Sequence, residues 1–162
     1  MTQMLLVAAV LVWIGNTVLL AAGPLVASGG FVRNPPGAVP AELRVLTYNL
    51  HGPPNDRMDD LVEALTNDQV LKEATILGLH EVNRHHRKTG YRDFASELAN
   101  ILGLYYAFAV ENPYKKGGGE RVLAILSRFP MSQVERIALP HAGPGDGDAS
   151  PWERLCISVQ IA

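Results

Sequence analysis

All 14 Lys and Arg and all 16 Asp and Glu of this 162-residue chain lie at or after Arg33, so the front of the molecule carries no formal charge. Residues 4–22 read MLLVAAVLVWIGNTVLLAA, with Asn16 and Thr17 the only polar side chains. An apolar run of about 20 residues is long enough to cross a bilayer. The stretch is therefore expected to be a secretory signal or an uncleaved anchor. The small residues Val26, Ala27 and Ser28 suit signal cleavage, whereas the amino end, Met1-Thr2-Gln3, lacks the usual basic residue. The next residues, to position 41, are rich in proline and glycine and read as a linker. The expected organisation is a hydrophobic signal or anchor over 1–30, a Pro/Gly linker over 31–41 and a folded domain over 42–162.

That domain is large enough to bury a core without staples. Cys156 is the single cysteine, which excludes an intrachain disulfide and Cys-rich zinc modules. A formal net charge of -2 argues against a domain that grips nucleic acid through bulk electrostatics. Phosphate chemistry would need a local site or a metal.

The hydrophobic pattern alternates between strand and helix. Residues 43–49 are β-rich and stop at His51-Gly52-Pro53-Pro54. Met58, Leu61, Val62 and Leu65 recur at helical spacing, with acidic residues in the first turn, where they suit the helix dipole. Residues 75–79 form a short apolar run expected to be a strand buried on both faces. Tyr91, Phe94, Leu98, Ile101 and Leu102 form the apolar stripe of a second helix, which Gly103 stops. Residues 105–110 and 122–126 are further strands around the Gly117-Gly118-Gly119 turn. A Gly/Pro-rich loop covers 140–151, and residues 155–161 alternate as a last strand. The fold class is α/β.

Asn49 and Glu81 each sit at the carboxyl end of a predicted strand, where open α/β sheets hold their ligands. Asn49 suits either a turn before Gly52 or a ligand contact. A carboxylate directly after the apolar run is costly to desolvate without a cation or donors beside it, and Mg2+ takes one or two carboxylates together with phosphate oxygens. Glu81 is thus a candidate metal ligand, with a solvated strand end as its plain alternative. The grouping of His80, Glu81, His85 and His86 resembles a zinc site only at first sight. A zinc helix places its second His four residues after the first, and Arg84 stands there, so these histidines read as surface loop residues, as does His51. The three glycines are no phosphate cradle, because a strand rather than Lys, Ser/Thr and a helix follows them. Glu120 reads either as a hairpin charge or as a carboxylate aimed into a cleft, and Lys115 and Lys116 as a solvated loop.

Three segments in order, LRVLTYNL at 43–50, ILGLHEV at 76–82 and AILSRFPM at 124–131, resemble the endonuclease/exonuclease/phosphatase superfamily, the deoxyribonuclease-I-like hydrolases. His80 stands where that family commonly has Gln. The resemblance implies a four-layer α/β/β/α sandwich and Mg2+-dependent hydrolysis of phosphoester bonds, with Mn2+ as the alternative ion. It implies that Glu81 is the metal carboxylate, that Asn49 orients the phosphate and the metal shell, and that Glu120 supports a catalytic histidine. The substrate class so implied is a nucleic acid, a phospholipid head group or a small phosphodiester. The family's acid/base His, its Asp-x-Asn pair and its terminal Asp-His come from the carboxyl half of the domain. Those motifs have no match before Ala162, and His141 does not fit them. The expectation is therefore an amino-terminal part of such a domain, with weak intrinsic catalysis and, for residues 42–162 alone, marginal stability and self-association. The rival expectation is a non-catalytic, membrane-tethered binding module.

Overall fold

The structure, a computed structural model, describes residues 24–52, 57–114, 117–140 and 154–162. The expected leader at 4–22 lies outside them, as do Lys115, Lys116 and His141. Strands β1 (Val26–Gly30), β4 (Tyr105–Pro113), β5 (Glu120–Ser127), β3 (Ile76–Arg84) and β2 (Val45–Asn49) form one sheet in that spatial order. Its pairs are antiparallel except β2 with β3. A parallel pair needs a crossover rather than a tight turn, and α1 (Arg57–Asn67) supplies it. A second helix, α2 (Phe94–Leu102), connects β3 to β4. Strands β6 (Met131–Ala138) and β7 (Leu155–Ile161) form a separate two-stranded sheet, which packs against β1, β4 and β5.

The helices form because their apolar residues share a face and their ends are satisfied. In α1 the spacing of Met58 and Leu65 turns both into the core. In α2 Asp93 accepts a hydrogen bond from the Ser96 N–H at 3.2 Å, and Gly103 closes the helix at φ 66°. The buried face of α2 is Phe94, Ala95, Leu98 and Ala99. It packs with Leu79, Val82, Phe108, Val122 and Leu126 in one hydrophobic core.

The folded chain corrects several expectations. The sheet begins at Val26, inside the stretch expected as leader, because β1 pairs with β4 from Val26 with Ala109 to Gly30 with Tyr105. Strand β3 runs on to Arg84, so Glu81 lies within a strand and not at its carboxyl end. Strand β6 occupies residues with no clean alternation, since its register shifts between Ser132 and Glu135 and Gln133 takes φ 48°. An extra residue moves the period onto the other face. Ile101 and Tyr91 are exposed, at 53% and 61%. At 100° per residue the buried face of α2 is centred near Leu98 and Ala95, and Ile101 falls at its margin. Leu98→Ala is expected to lower stability by about 2–5 kcal/mol, and Ile101→Ala by no more than about 0.5 kcal/mol. Equal shifts of the two denaturant midpoints would contradict this placement.

Candidate active site

The site is built by two β-bulges on either side of β5. In β3 the pairing with β5 holds to Leu79 with Ala124 and resumes at Val82 with Val122, so His80 and Glu81 stand opposite Leu123 alone. In β4 the register slips between Val110 and Asn112, which leaves Glu111 as the extra residue. A bulge bends its strand and re-aims a side chain. Glu81 holds φ 55° to do so, a left-handed conformation that costs a non-glycine residue of the order of 1 kcal/mol.

Both bulged carboxylates turn to Arg121 of β5. Its Nε lies 2.7 Å from Glu111 Oε2 and its Nη1 lies 3.9 Å from Glu81 Oε1. The other oxygen of Glu81 lies 3.8 Å from His51 Nδ1. These two contacts to Glu81 are longer than hydrogen bonds, so its oxygens keep lone pairs for another partner. Glu81 is about one-third exposed, with a side-chain accessibility of 36%.

The loop after β2 is stitched to this bulge. The Leu50 N–H donates to the His80 carbonyl at 3.0 Å and the Gly52 N–H to the Glu81 carbonyl at 3.2 Å. Asn49 Oδ1 accepts from the His51 N–H at 2.8 Å, the turn-forming role open to an Asn here. Gly52 takes φ 59°, and a Cβ on it would stand 2.9 Å from Asn83 Nδ2, so a side chain there is excluded by conformation and by space. Asn83 is buried, and its Oδ1 accepts the Tyr114 hydroxyl.

Burial pushes the Tyr114 phenol above its ordinary value of 10.0, and the nearby charges of Glu81 and Glu111 add to the rise while Arg121 opposes it. The folded chain therefore holds this proton at a pH where the unfolded chain has lost it, and stability falls as pH climbs past about 10. Tyr114→Phe is expected to flatten that decline. Denaturant midpoints between about pH 8 and 11 check it, and parallel slopes for the two proteins would contradict it.

The expected site residues separate in the structure. Asn49 and Glu81 lie on adjacent strands, Asn49 paired with His80, the residue before Glu81. Glu120 joins a different network. Its carboxylate binds Arg84, whose Nε also lies 2.8 Å from Asp93 Oδ2 and whose guanidinium stacks 3.7 Å above the Phe108 ring. His80 lies within hydrogen-bond distance of Thr47, its Nε2 3.1 Å from Oγ1. His86, expected as a surface loop residue, packs edge-on against Tyr114, with ring centres 4.6 Å apart. Arg121 and Glu111 were not legible as site residues, because the two bulges bring Glu81 and Glu111 to Arg121. Among the described residues no group of three His, Cys, Asp or Glu is placed to hold a metal ion. Glu81 and the amide oxygen of Asn49 are nevertheless hard oxygen donors of the kind Mg2+ takes beside phosphate oxygens.

No protein-family model and no curated protein matches the chain. A solved structure does, that of an endonuclease/exonuclease/phosphatase family protein from Leptotrichia buccalis C-1013-b, with a TM-score of 0.52 at 16% identity. The chain shares the fold of that protein. The likeness covers 74% of the chain and 50% of the Leptotrichia protein, so the chain spans half of that protein's length. Within this fold, Asn49 and Glu81 stand on neighbouring parallel strands, and the carboxylate is aimed by backbone strain rather than by a strand end.

Proposed function

We propose that the chain is a Mg2+-dependent hydrolase of phosphoester bonds, built on the four-layer plan of the endonuclease/exonuclease/phosphatase fold and exported or tethered through residues 4–22. The observation that carries this reading is the Glu81 carboxylate, held at φ 55° in a bulge beside Asn49 with its oxygens free of close hydrogen bonds. The shared fold supports it. Glu81 and Asn49 would hold the ion, and bound Mg2+ would neutralise charge on a phosphoryl group during in-line attack by water. The Asn49 amide would orient a phosphoryl oxygen. Arg121, tied to Glu111, sets the charge beside Glu81 and keeps the pair of carboxylates from repelling one another. The substrate is a phosphoester of a nucleic acid, a phospholipid head group or a small phosphodiester.

The test is hydrolysis of bis(p-nitrophenyl) phosphate by the full chain with Mg2+ or Mn2+ and after chelation. Turnover that needs the ion supports the reading, and turnover indifferent to chelation removes the metal from it. A chain without turnover above background would favour the non-catalytic binding module.

No helix among the described residues is long and apolar enough to cross a membrane, and residues 4–22 lie outside them. The composition of that stretch supports the tether. Fractionation of cells expressing the full chain is expected to place it in the membrane or outside the cytosol. A wholly cytosolic, soluble distribution would remove both the anchor and the signal.

A further inference from the structure

Protein interiors are close-packed, with few voids larger than a water molecule. Between α1 and the β2–β3 edge of the sheet that packing is incomplete, and a cavity of about 580 Å³ opens there to solvent. Leu46 and Tyr48 of β2 line it on one side, and Met58, Leu61 and Ala64 of α1 on the other. Its cause is local. The inward stripe of α1 carries only a methyl group at Ala64, and α1 packs on α2 and on the 3-10 turn Leu71–Glu73 more closely than on β2 or β3. The volume falls in the range of about 300–1,000 Å³ typical of ligand pockets, and apolar walls of this kind exclude water and accept hydrocarbon.

One lining residue is charged. Asp60, in the first turn of α1, is exposed to solvent while it borders the cavity, and its neighbours on the helix, Asp59 and Glu63, are exposed acids as well. Half-exposed Tyr48 leaves the cavity in reach of solvent along the open edge of β2. We propose that this cavity binds the alkyl chain of a single-chain amphiphile whose cationic head group pairs with Asp60. The hydrophobic effect then supplies the affinity, and the carboxylate sets the preference for a positive over a negative head. This site faces the helix layer, whereas Thr47 and His80 lie on the opposite face of the sheet, and the proposal does not rest on phosphoesterase activity.

The test uses the full chain with dodecyltrimethylammonium carrying a photoreactive diazirine at the chain end, and dodecyl sulfate carrying the same group. Mass spectrometry of the labelled chain is expected to find saturable label on the β2 peptide and on residues 57–67, one probe per chain, with the cationic probe preferred. Ala64→Phe fills the cavity and is expected to abolish that label while keeping a cooperative melt. Asp60→Asn, a surface change that leaves the core alone, is expected to weaken the cationic probe about threefold and to spare the sulfate. Label confined to residues 1–23, label scattered without saturation, or label on α1 that survives in folded Ala64→Phe would each overturn the proposal. Equal labelling by the two probes in the unaltered chain would overturn the role of Asp60.

Discussion

Glu81→Gln is expected to reduce Mg2+-dependent hydrolysis of a phosphodiester about 10²- to 10³-fold, the scale seen when one electrostatic group is taken from a reacting centre, while the fold persists. Glutamine keeps the size of the side chain and removes the charge that attracts the ion. Its neighbours remain tied, because Arg121 is held by Glu111 at 2.7 Å. Stability is expected to rise slightly or not at all, since the φ of 55° is imposed by the bulge and is kept by glutamine. A second readout is independent of turnover: Mn2+ affinity, measured by the paramagnetic signal of the free ion, is expected to fall with Glu81→Gln and less with Asn49→Ala. Retained Mg2+ dependence in Glu81→Gln would mean that the ion is held elsewhere. Loss of turnover with unchanged Mn2+ binding would assign Glu81 to the proton rather than to the metal.

The largest expected loss of stability comes from Arg84. Its side chain is 11% exposed, and those of Asp93 and Glu120 are each 20% exposed. Arg84→Met keeps the unbranched stem of the side chain, removes the guanidinium and leaves two poorly solvated carboxylates without a cation, a change expected to cost about 3–5 kcal/mol. Some packing on Phe108 survives, since methionine also lies well against an aromatic ring. Adding Glu120→Gln should recover part of the loss by removing one of the stranded charges, whereas Asp93 is best left in place because it caps α2. Urea midpoints for the single and double variants measure the coupling. The same series tests the role implied for Glu120. If its work is to hold Arg84, Glu120→Gln alone lowers the midpoint and leaves hydrolysis intact. A rate loss with an unmoved midpoint would return Glu120 to the catalytic group.

The elements were legible in the sequence where the hydrophobic period was unbroken. The stripe through Phe94 and Leu98, the apolar run of β3 and the stop at Gly103 depend on neighbours within a turn or two, so local chemistry alone determines them. The candidate pair was legible for a similar reason: Asn49 and Glu81 each close an apolar run in the sequence, and parallel pairing of the two strands sets Asn49 opposite His80, the residue before Glu81. The apolar and uncharged character of residues 4–22 is likewise a property of the sequence alone.

Tertiary pairing decided the rest. Strand β1 carries two glycines and no sustained alternation, and it is a strand because β4 offers it a free edge. Ile101 differs from Leu98 only in which side of α2 the sheet covers. Most of the candidate site depends on bulges at Glu81 and Glu111, where one extra residue in each strand reverses the facing of the residues beyond it. A bulge is a mismatch between two strands, so neither strand's own sequence contains it. That is why Glu81 could be named from the sequence, while its partner Arg121, and Glu111 which holds Arg121, could be named only once β3, β4 and β5 were paired.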